Sequence, residues 1–337
     1  MANFKVSIPQ FETTLEVRRG FSILDEALKA GLDYPYACRQ GNCSSCKSIL
    51  RKGTVTHKSY DPTALTDEEK NQNVILACRA MPTSDCEVEF IEDADTFTPA
   101  KYECVVTSID RVSSEIAILK AKPYSSASPM FCAGQFATLT FANLPAREYS
   151  FANRPGAAEL EFHIEYYKHG KVSKHVYERG EPSDRFVLNA PFGSAYLRKE
   201  HPGPITMVVG GTGLAPAKSI LLDALASMPG REIRIYHSAR EANGLYQNEE
   251  MLKLAEKYPR FGYFPVITRG NGVDAARTTD VFIELRRHFE TLHGHKLYTC
   301  GSPGLVANCQ KFAIEMGVSP SDCHADPFVS ASAMVAE

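Results

Sequence analysis

Four cysteines place the first constraint on this chain. Cys38, Cys43 and Cys46 form a C-x4-C-x2-C run, and Cys78 follows in Leu76-Ala77-Cys78. This is the plant-type spacing of a [2Fe–2S] cluster, in which one compact loop supplies three thiolates and a separate segment the fourth. Gly41 and the small residues Asn42, Ser44 and Ser45 let backbone N–H groups approach the sulfurs and stabilise their negative charge. The alternative is a four-cysteine structural zinc site. Zinc ribbons favour two close C-x2-C pairs, and only one such pair is present, so the spacing favours the cluster. Cys86 lies outside the pattern and reads as a buried thiol.

A cluster occupies only part of 337 residues, a length that suggests two or three domains. The net charge of −3 argues against nucleic-acid binding, which needs a basic surface to neutralise phosphates. No run of 18 apolar residues is present, so no membrane span is expected. The opening residues lack an apolar signal core, which predicts a cytoplasmic location where ten cysteines stay reduced.

The patterning changes twice along the chain. Phe4, Val6 and Ile8, then Thr13, Leu15 and Val17, alternate about Pro9-Gln10 and predict a hairpin. Ser22 predicts a helix cap, Ser48–Leu50 and Val74–Leu76 predict short strands, and Cys86–Phe90 alternates again. An acidic, apolar-poor stretch over 92–100 reads as a linker. Residues 101–198 carry short alternating runs (Tyr102–Ile109, Glu115–Ala121, Phe136–Phe141, Leu160–Tyr167) broken by Ser, Pro and Gly, which suggests a sandwich or barrel. From 204, strand-like Ile205–Val209, Ile233–His237, Tyr263–Ile267 and Lys296–Tyr298 alternate with helical stretches at 215–227, 247–257, 280–290 and 303–316. That order predicts a parallel sheet with helices on both faces.

Three further motifs bear chemistry. Gly210-Gly211-Thr212-Gly213-Leu214-Ala215-Pro216 directly follows a buried strand and opens a helix, where backbone N–H groups can close on a pyrophosphate. It departs from G-x-G-x-x-G, and a ligand-free βα turn is the competing reading. Arg147-Glu148-Tyr149-Ser150 offers an arginine for a diphosphate, a tyrosine for a flat ring and a serine for a ring heteroatom. Taken alone, it also fits ordinary surface packing. Gly170-Lys171-Val172-Ser173 is a turn before a helix, able to hold phosphate or simply to turn.

Taken in order with a late Cys300-Gly301-Ser302-Pro303, these motifs resemble the reductase components of bacterial aromatic-ring-hydroxylating, Rieske-type dioxygenases. The resemblance spans essentially the whole chain. It implies a multidomain α+β and α/β fold: a β-grasp-like ferredoxin domain at 1–94, an antiparallel β-barrel flavin domain at 99–199, and a parallel-sheet α/β nicotinamide domain at 204–337. It implies an enzyme that passes electrons from NAD(P)H through FAD to the [2Fe–2S] cluster, and on to a terminal oxygenase or an intermediate ferredoxin. Recipients of a di-iron hydroxylase or deoxysugar dehydrase kind stay open, as does a non-catalytic iron–sulfur module.

Residue by residue, the resemblance implies cluster ligands Cys38, Cys43, Cys46 and Cys78. It puts Arg147 on the flavin pyrophosphate, Tyr149 on the isoalloxazine and Ser150 near its N5, with His163 and Gly170, Lys171, Val172 and Ser173 on the phosphate side. Gly211, Thr212 and Gly213 would meet the nicotinamide dinucleotide, and Cys300 the nicotinamide ring. Asp326 and Phe328 match the acidic–x–aromatic ending near the flavin. The chain departs from the family at His163-Ile164-Glu165, where an acid replaces the usual base, and at Lys168-His169-Gly170, so Lys168 or Lys171 would have to compensate. Ser238 and Arg240 follow the second strand with no acid before Glu241, which inclines the turn towards the 2′-phosphate of NADPH without excluding NADH.

Overall fold

The computed structural model describes residues 3–36, 39–41, 44–60, 62, 64–91, 97–125, 127–269 and 277–329, with the backbone alone at 277 and 278. Of the acidic linker, residues 92–96 lie outside the described set. The chain forms two compact units, Met1–Thr96 with Phe192–Ser194, and Phe97–Pro191 with Ala195–Glu337.

In the first unit the alternating runs become β1 (Asn3–Ile8) and β2 (Thr13–Arg18), antiparallel about a short turn at Pro9–Phe11. The Ser22 hydroxyl accepts from the Asp25 N–H at 3.1 Å and caps α1 (Ile23–Lys29), which buries Ile23, Leu24 and Ala27. Next come β3 (Lys47–Lys52), β4 (Val55–His57), α2 (Asp67–Asn71), β5 (Val74–Leu76), β6 (Ala80–Pro82) and β7 (Cys86–Phe90). Five strands form a mixed sheet in the order β2-β1-β7-β3-β5, with β1 and β7 parallel, a β-grasp-like arrangement. The sequence reading missed three elements here. The paired β4 and β6 are too short to show alternation, and α2 buries none of its residues and rests on the Thr66–Glu69 capping box.

The second unit opens with β8 (Ala100–Arg111), β9 (Ile116–Pro123), β10 (Phe136–Phe141), β11 (Arg147–Ser150), β12 (Leu160–Glu165), α3 (Lys171–Arg179) and β13 (Arg185–Phe192). The six strands run β11-β10-β13-β8-β9-β12, and an antiparallel bridge from Phe151 to Phe162 brings the two ends together into a nearly closed barrel. Its core holds Phe131 stacked on Phe151 at 3.9 Å, with Phe162 at 5.2 Å and Leu119, Leu139 and Leu188 around them. Along β12 the period of two sends Leu160, Phe162 and Ile164 inward and leaves Glu161, His163 and Glu165 on the outer face.

The chain then forms β14 (Ile205–Gly210), α4 (Leu214–Ser227), β15 (Ile233–Ala239), α5 (Asn248–Lys257), β16 (Phe261–Ile267), β17 (Arg277–Thr278), α6 (Val281–His288), β18 (Lys296–Gly301), α7 (Pro303–Glu315) and β19 (Cys323–Pro327). The sheet is parallel, in the order β17-β16-β15-β14-β18-β19. Strands are added on one side of β14 and then, from β18, on the other. Such a reversal opens a crevice at the strand ends, where ligands bind in sheets of this kind. Ile116, Ala133 and Leu197 pack into one core with Leu214, Ala217 and Ile220 of α4, which ties the barrel to the parallel sheet. Among the described residues, no helix is long and apolar enough to cross a membrane.

Phe162 is fully buried between barrel strands. Phe162→Ala should destabilise the second unit by about 3–5 kcal/mol, the range for emptying a packed aromatic site. The shift of its urea midpoint by circular dichroism measures this, and a loss under about 1 kcal/mol contradicts the packing account.

Candidate active site and cluster loop

Of the four cysteines, Cys46 and Cys78 are described and Cys38 and Cys43 lie outside the described residues. Cys46 and Cys78 are both buried, and the Cys78 N–H points at the Cys46 sulfur at 3.5 Å. The loop before Cys46 curls through left-handed conformations at Arg39 (φ 56), Gly41 (φ 77) and Ser44 (φ 65). Gly41 is required for a second reason: a Cβ there would meet Tyr60 Cβ at 2.6 Å and Arg79 Cγ at 2.8 Å. A tight loop, two buried cysteines and a main-chain N–H aimed at one of their sulfurs suit a [2Fe–2S] core. Cys86 is buried away from this loop, its thiol hydrogen-bonded to the Ser84 carbonyl and its pKa raised chiefly by burial.

In the second unit the crevice lies between β14 and β18. Gly211 turns the chain there with φ 55, and a Cβ on Gly213 would collide with the Cys300 carbonyl. The register puts Cys300 beside Val209 on one side and Asp326 on the other. From the barrel, the Ser150 hydroxyl donates to Asp326 Oδ2 at 3.5 Å, and both residues are buried. Burial, with the Asp326 carboxylate next, pushes the Cys300 thiol well above its ordinary pKa, so it is a neutral S–H. The Phe328 N–H donates to the Gly301 carbonyl at 2.7 Å and fixes the strand end beside them. Ser150 of the barrel thus meets the ends of β18 and β19, which carry Cys300 and Asp326 and are followed by Phe328.

On the barrel side, Tyr149 sits across from Ala137, half-buried, and burial raises its hydroxyl pKa. Arg147 lies two residues away on the same strand face, partly exposed, with Nη1 on the Ala146 carbonyl at 2.7 Å. Gly170 precedes α3, whose first turn lacks a side-chain cap; Lys171 is exposed, while Val172 enters the barrel core and Ser173 Oγ accepts from the Tyr167 N–H at 3.3 Å. That turn therefore offers main-chain N–H groups and one lysine to an anion. His163 does not: its ring is fully buried, with Nδ1 on the Tyr246 hydroxyl at 2.7 Å and Nε2 on Glu161 at 2.9 Å. Both nitrogens are taken within the protein, so its side chain is part of the framework and not a cofactor contact.

The sequence reading missed a buried polar network. Lys218 of α4 reaches Glu161 at 2.9 Å, Glu250 at 3.0 Å and Gln247 at 3.3 Å. Burial works to raise the Glu161 pKa, but the His163 hydrogen bond and the Lys218 charge prevail and bring it to about 2. The available signal was a lone lysine inside the apolar run Leu214–Leu221. Ser238 lies beside Gly210 one residue before the end of β15, and Arg240 just past that end is exposed.

Comparison with known proteins agrees with this geometry. Residues 7–83 match the 2Fe-2S iron-sulfur cluster binding domain family, 103–196 the oxidoreductase FAD-binding domain and 207–311 the oxidoreductase NAD-binding domain. The chain is 33% identical over 319 residues to the reductase component of the naphthalene 1,2-dioxygenase system of Pseudomonas putida, covering 92% of this chain and 94% of that protein. It is 30% identical over 332 residues to reductase component 1 of terephthalate 1,2-dioxygenase from Comamonas sp, covering 97% and 98%. Among solved structures, an Amycolatopsis cytochrome P450 reductase superposes with a TM-score of 0.75 at 27% identity, covering 97% of this chain and 99% of that one.

His237 on β15 yields a pH prediction. It is fully buried, 2.9 Å from the Tyr263 hydroxyl, and burial lowers its pKa from 6.5 to about 4 against an opposing contribution from the Gly211 backbone. Between those values the unfolded chain binds more protons, so stability is complete above pH 6.5 and falls as pH drops towards 4. His237→Asn should flatten the dependence of the urea midpoint on pH across that window, since each tenfold difference in proton affinity between folded and unfolded chain is worth about 1.4 kcal/mol. An unchanged slope contradicts it.

Proposed function

Because the chain belongs to the family of reductase components that join a 2Fe-2S domain to FAD- and NAD-binding oxidoreductase domains, we propose that it supplies electrons to an oxygenase acting on aromatic rings. It is an NAD(P)H-dependent flavin iron–sulfur oxidoreductase, and the electron path runs from NAD(P)H through FAD to the [2Fe–2S] cluster. When bound, FAD accepts a hydride equivalent and releases its electrons singly to a cluster that carries one at a time. The recipient is the terminal oxygenase or an intermediate ferredoxin. We take the division of labour to be 1–94 for the cluster, 99–199 for the flavin and 204–337 for the nicotinamide dinucleotide.

The observation that carries the hydride site is the meeting of Ser150 with Asp326 at 3.5 Å beside Cys300. Asp326 orients the Ser150 hydroxyl, which would face the flavin N5. The neutral Cys300 thiol, buried at the end of β18, would pack on the nicotinamide ring without adding charge and keep water out. Phe328 would cover the same crevice. Arg147, Tyr149 and the first-turn N–H groups of α3 would hold the flavin, with Lys168 or Lys171 in place of the missing base at position 165. Gly211, Thr212 and Gly213 present backbone to a pyrophosphate, and Cys38, Cys43, Cys46 and Cys78 would ligate the cluster. A non-catalytic iron–sulfur module would have no use for a Gly213 that cannot carry a Cβ or for a buried Ser150–Asp326 contact. The match to a cytochrome P450 reductase supports a monooxygenase as the second choice of recipient.

Two substitutions divide the path. Cys78→Ala should lose bound iron and sulfide and the reduction of cytochrome c, yet retain NAD(P)H–ferricyanide activity, because ferricyanide takes electrons from flavin directly. Retention of the full iron and sulfide content would remove Cys78 from the ligand set. Cys300→Ala should keep both FAD and iron while slowing flavin bleaching by NAD(P)H about ten- to hundredfold, the usual consequence of a misplaced reacting pair. Stopped-flow absorbance measures it, and an unchanged rate refutes the assigned contact.

A further inference from the structure

The outer face of β12 carries three polar residues, and two of them are consumed inside the protein: Glu161 by Lys218 and His163, and His163 by Tyr246. Glu165 is the third. Its carboxylate faces the phosphate turn, with Oε2 4.0 Å from where a Cβ on Gly211 would stand. Burial raises its pKa, and the Tyr167 hydroxyl and, more weakly, the Arg240 guanidinium act against that rise. Strand register explains the approach of Arg240: Gly210 pairs with Ser238, so the residues just past Ser238 stand beside the glycine turn. The turn after β15 has no acid of its own before Glu241, yet one arrives from the barrel.

We propose that Glu165 is a specificity-determining residue for the nicotinamide dinucleotide: by setting a carboxylate at the mouth of the phosphate turn, near Arg240, it weakens the hold on a ribose 2′-phosphate and favours NADH over NADPH. The inference rests on the NAD(P)H reading above. The pyrophosphate and nicotinamide are common to both dinucleotides and meet the same backbone at Gly211–Gly213. They differ in one phosphate, which carries roughly −1.5 to −2 at neutral pH. Such a group is bound tightly when it meets an uncompensated guanidinium. Here a carboxylate stands near the same turn as the guanidinium, so the incoming phosphate meets negative charge as well as positive. A 2′-hydroxyl carries no charge to be repelled and can still hydrogen-bond to Ser238.

A double-mutant cycle on the full-length holoenzyme tests this: wild type, E165Q, R240A and E165Q/R240A, each assayed for kcat/KM with NADH and with NADPH, using ferricyanide as acceptor at low salt. The wild type should prefer NADH. E165Q, which keeps the side-chain shape and a hydrogen-bonding group for Tyr167, should raise the NADPH-to-NADH ratio about tenfold, the equivalent of one released charge-assisted contact. Adding R240A should abolish that gain, and raising the ionic strength should shrink it. A wild-type preference for NADPH, an E165Q ratio within about twofold of wild type, or a gain that survives R240A overturns the proposal. If the wild type oxidised neither dinucleotide, the underlying NAD(P)H reading would fail with it; turnover with an unchanged ratio removes only the role of Glu165.

Discussion

Lys218 stands in α4 among the buried Leu214, Ala215, Ala217, Ile220 and Leu221, and Glu161 and Glu250 meet its side chain at 2.9 and 3.0 Å. Stripping water from both partners is costly, so such a pair contributes less to net stability than to fixing one arrangement. What it fixes is the approach of the barrel to α4. That helix begins immediately after Gly213, so its placement governs where the phosphate turn lies. The Ser219 hydroxyl adds a second tie one residue on, donating to the Asn153 carbonyl at 2.7 Å.

With that joint in place, the remaining geometry follows from topology. The reversal of strand order at β14 leaves an open crevice, and the sequence fills its rim with glycines. Gly213 leaves room for the Cys300 carbonyl, and a Cβ on Gly301 would stand 2.8 Å from the Gly210 carbonyl. Two backbones thus pass at a distance that side chains forbid. The same joint brings the last barrel residue of β11, Ser150, up to Asp326 of β19, the edge strand on the far side of the switch.

Much of this was legible in the sequence, for reasons that can be traced to particular residues. The cysteine spacing is a local ligand set, and the runs Phe136–Phe141 and Ile205–Val209 announce strands through a period of two or continuous burial. Their observed counterparts are β10 over the same residues and β14 one residue longer. The glycine turn was readable because strand, turn and helix are contiguous. Contacts between segments distant in sequence were not readable. His163 was placed on the cofactor side by the resemblance alone, and only the fold shows both its nitrogens engaged by Tyr246 and Glu161. The turn at Ser238–Arg240 looked free of acid because the acid belongs to a strand more than seventy positions earlier. β19 was missed because Cys323–Pro327 is an edge strand of mixed polarity with a proline at its end.

The stripe on the outside of β12 bears on how such chains recombine. Reductases of this architecture look modular, as though a flavin barrel from one lineage could be spliced to a nucleotide-binding half from another. Here the two halves share a core and a register of charges, so the natural cut before Pro204 separates Glu161 from Lys218. A graft that brought in an apolar residue at position 161 would leave the buried Lys218 with only Glu250 and Gln247 and deprive His163 Nε2 of its acceptor. Inheritance should therefore couple positions 161 and 218 across that splice point, exchanging them together or replacing both with apolar residues. The unit of exchange is the jointed pair of halves.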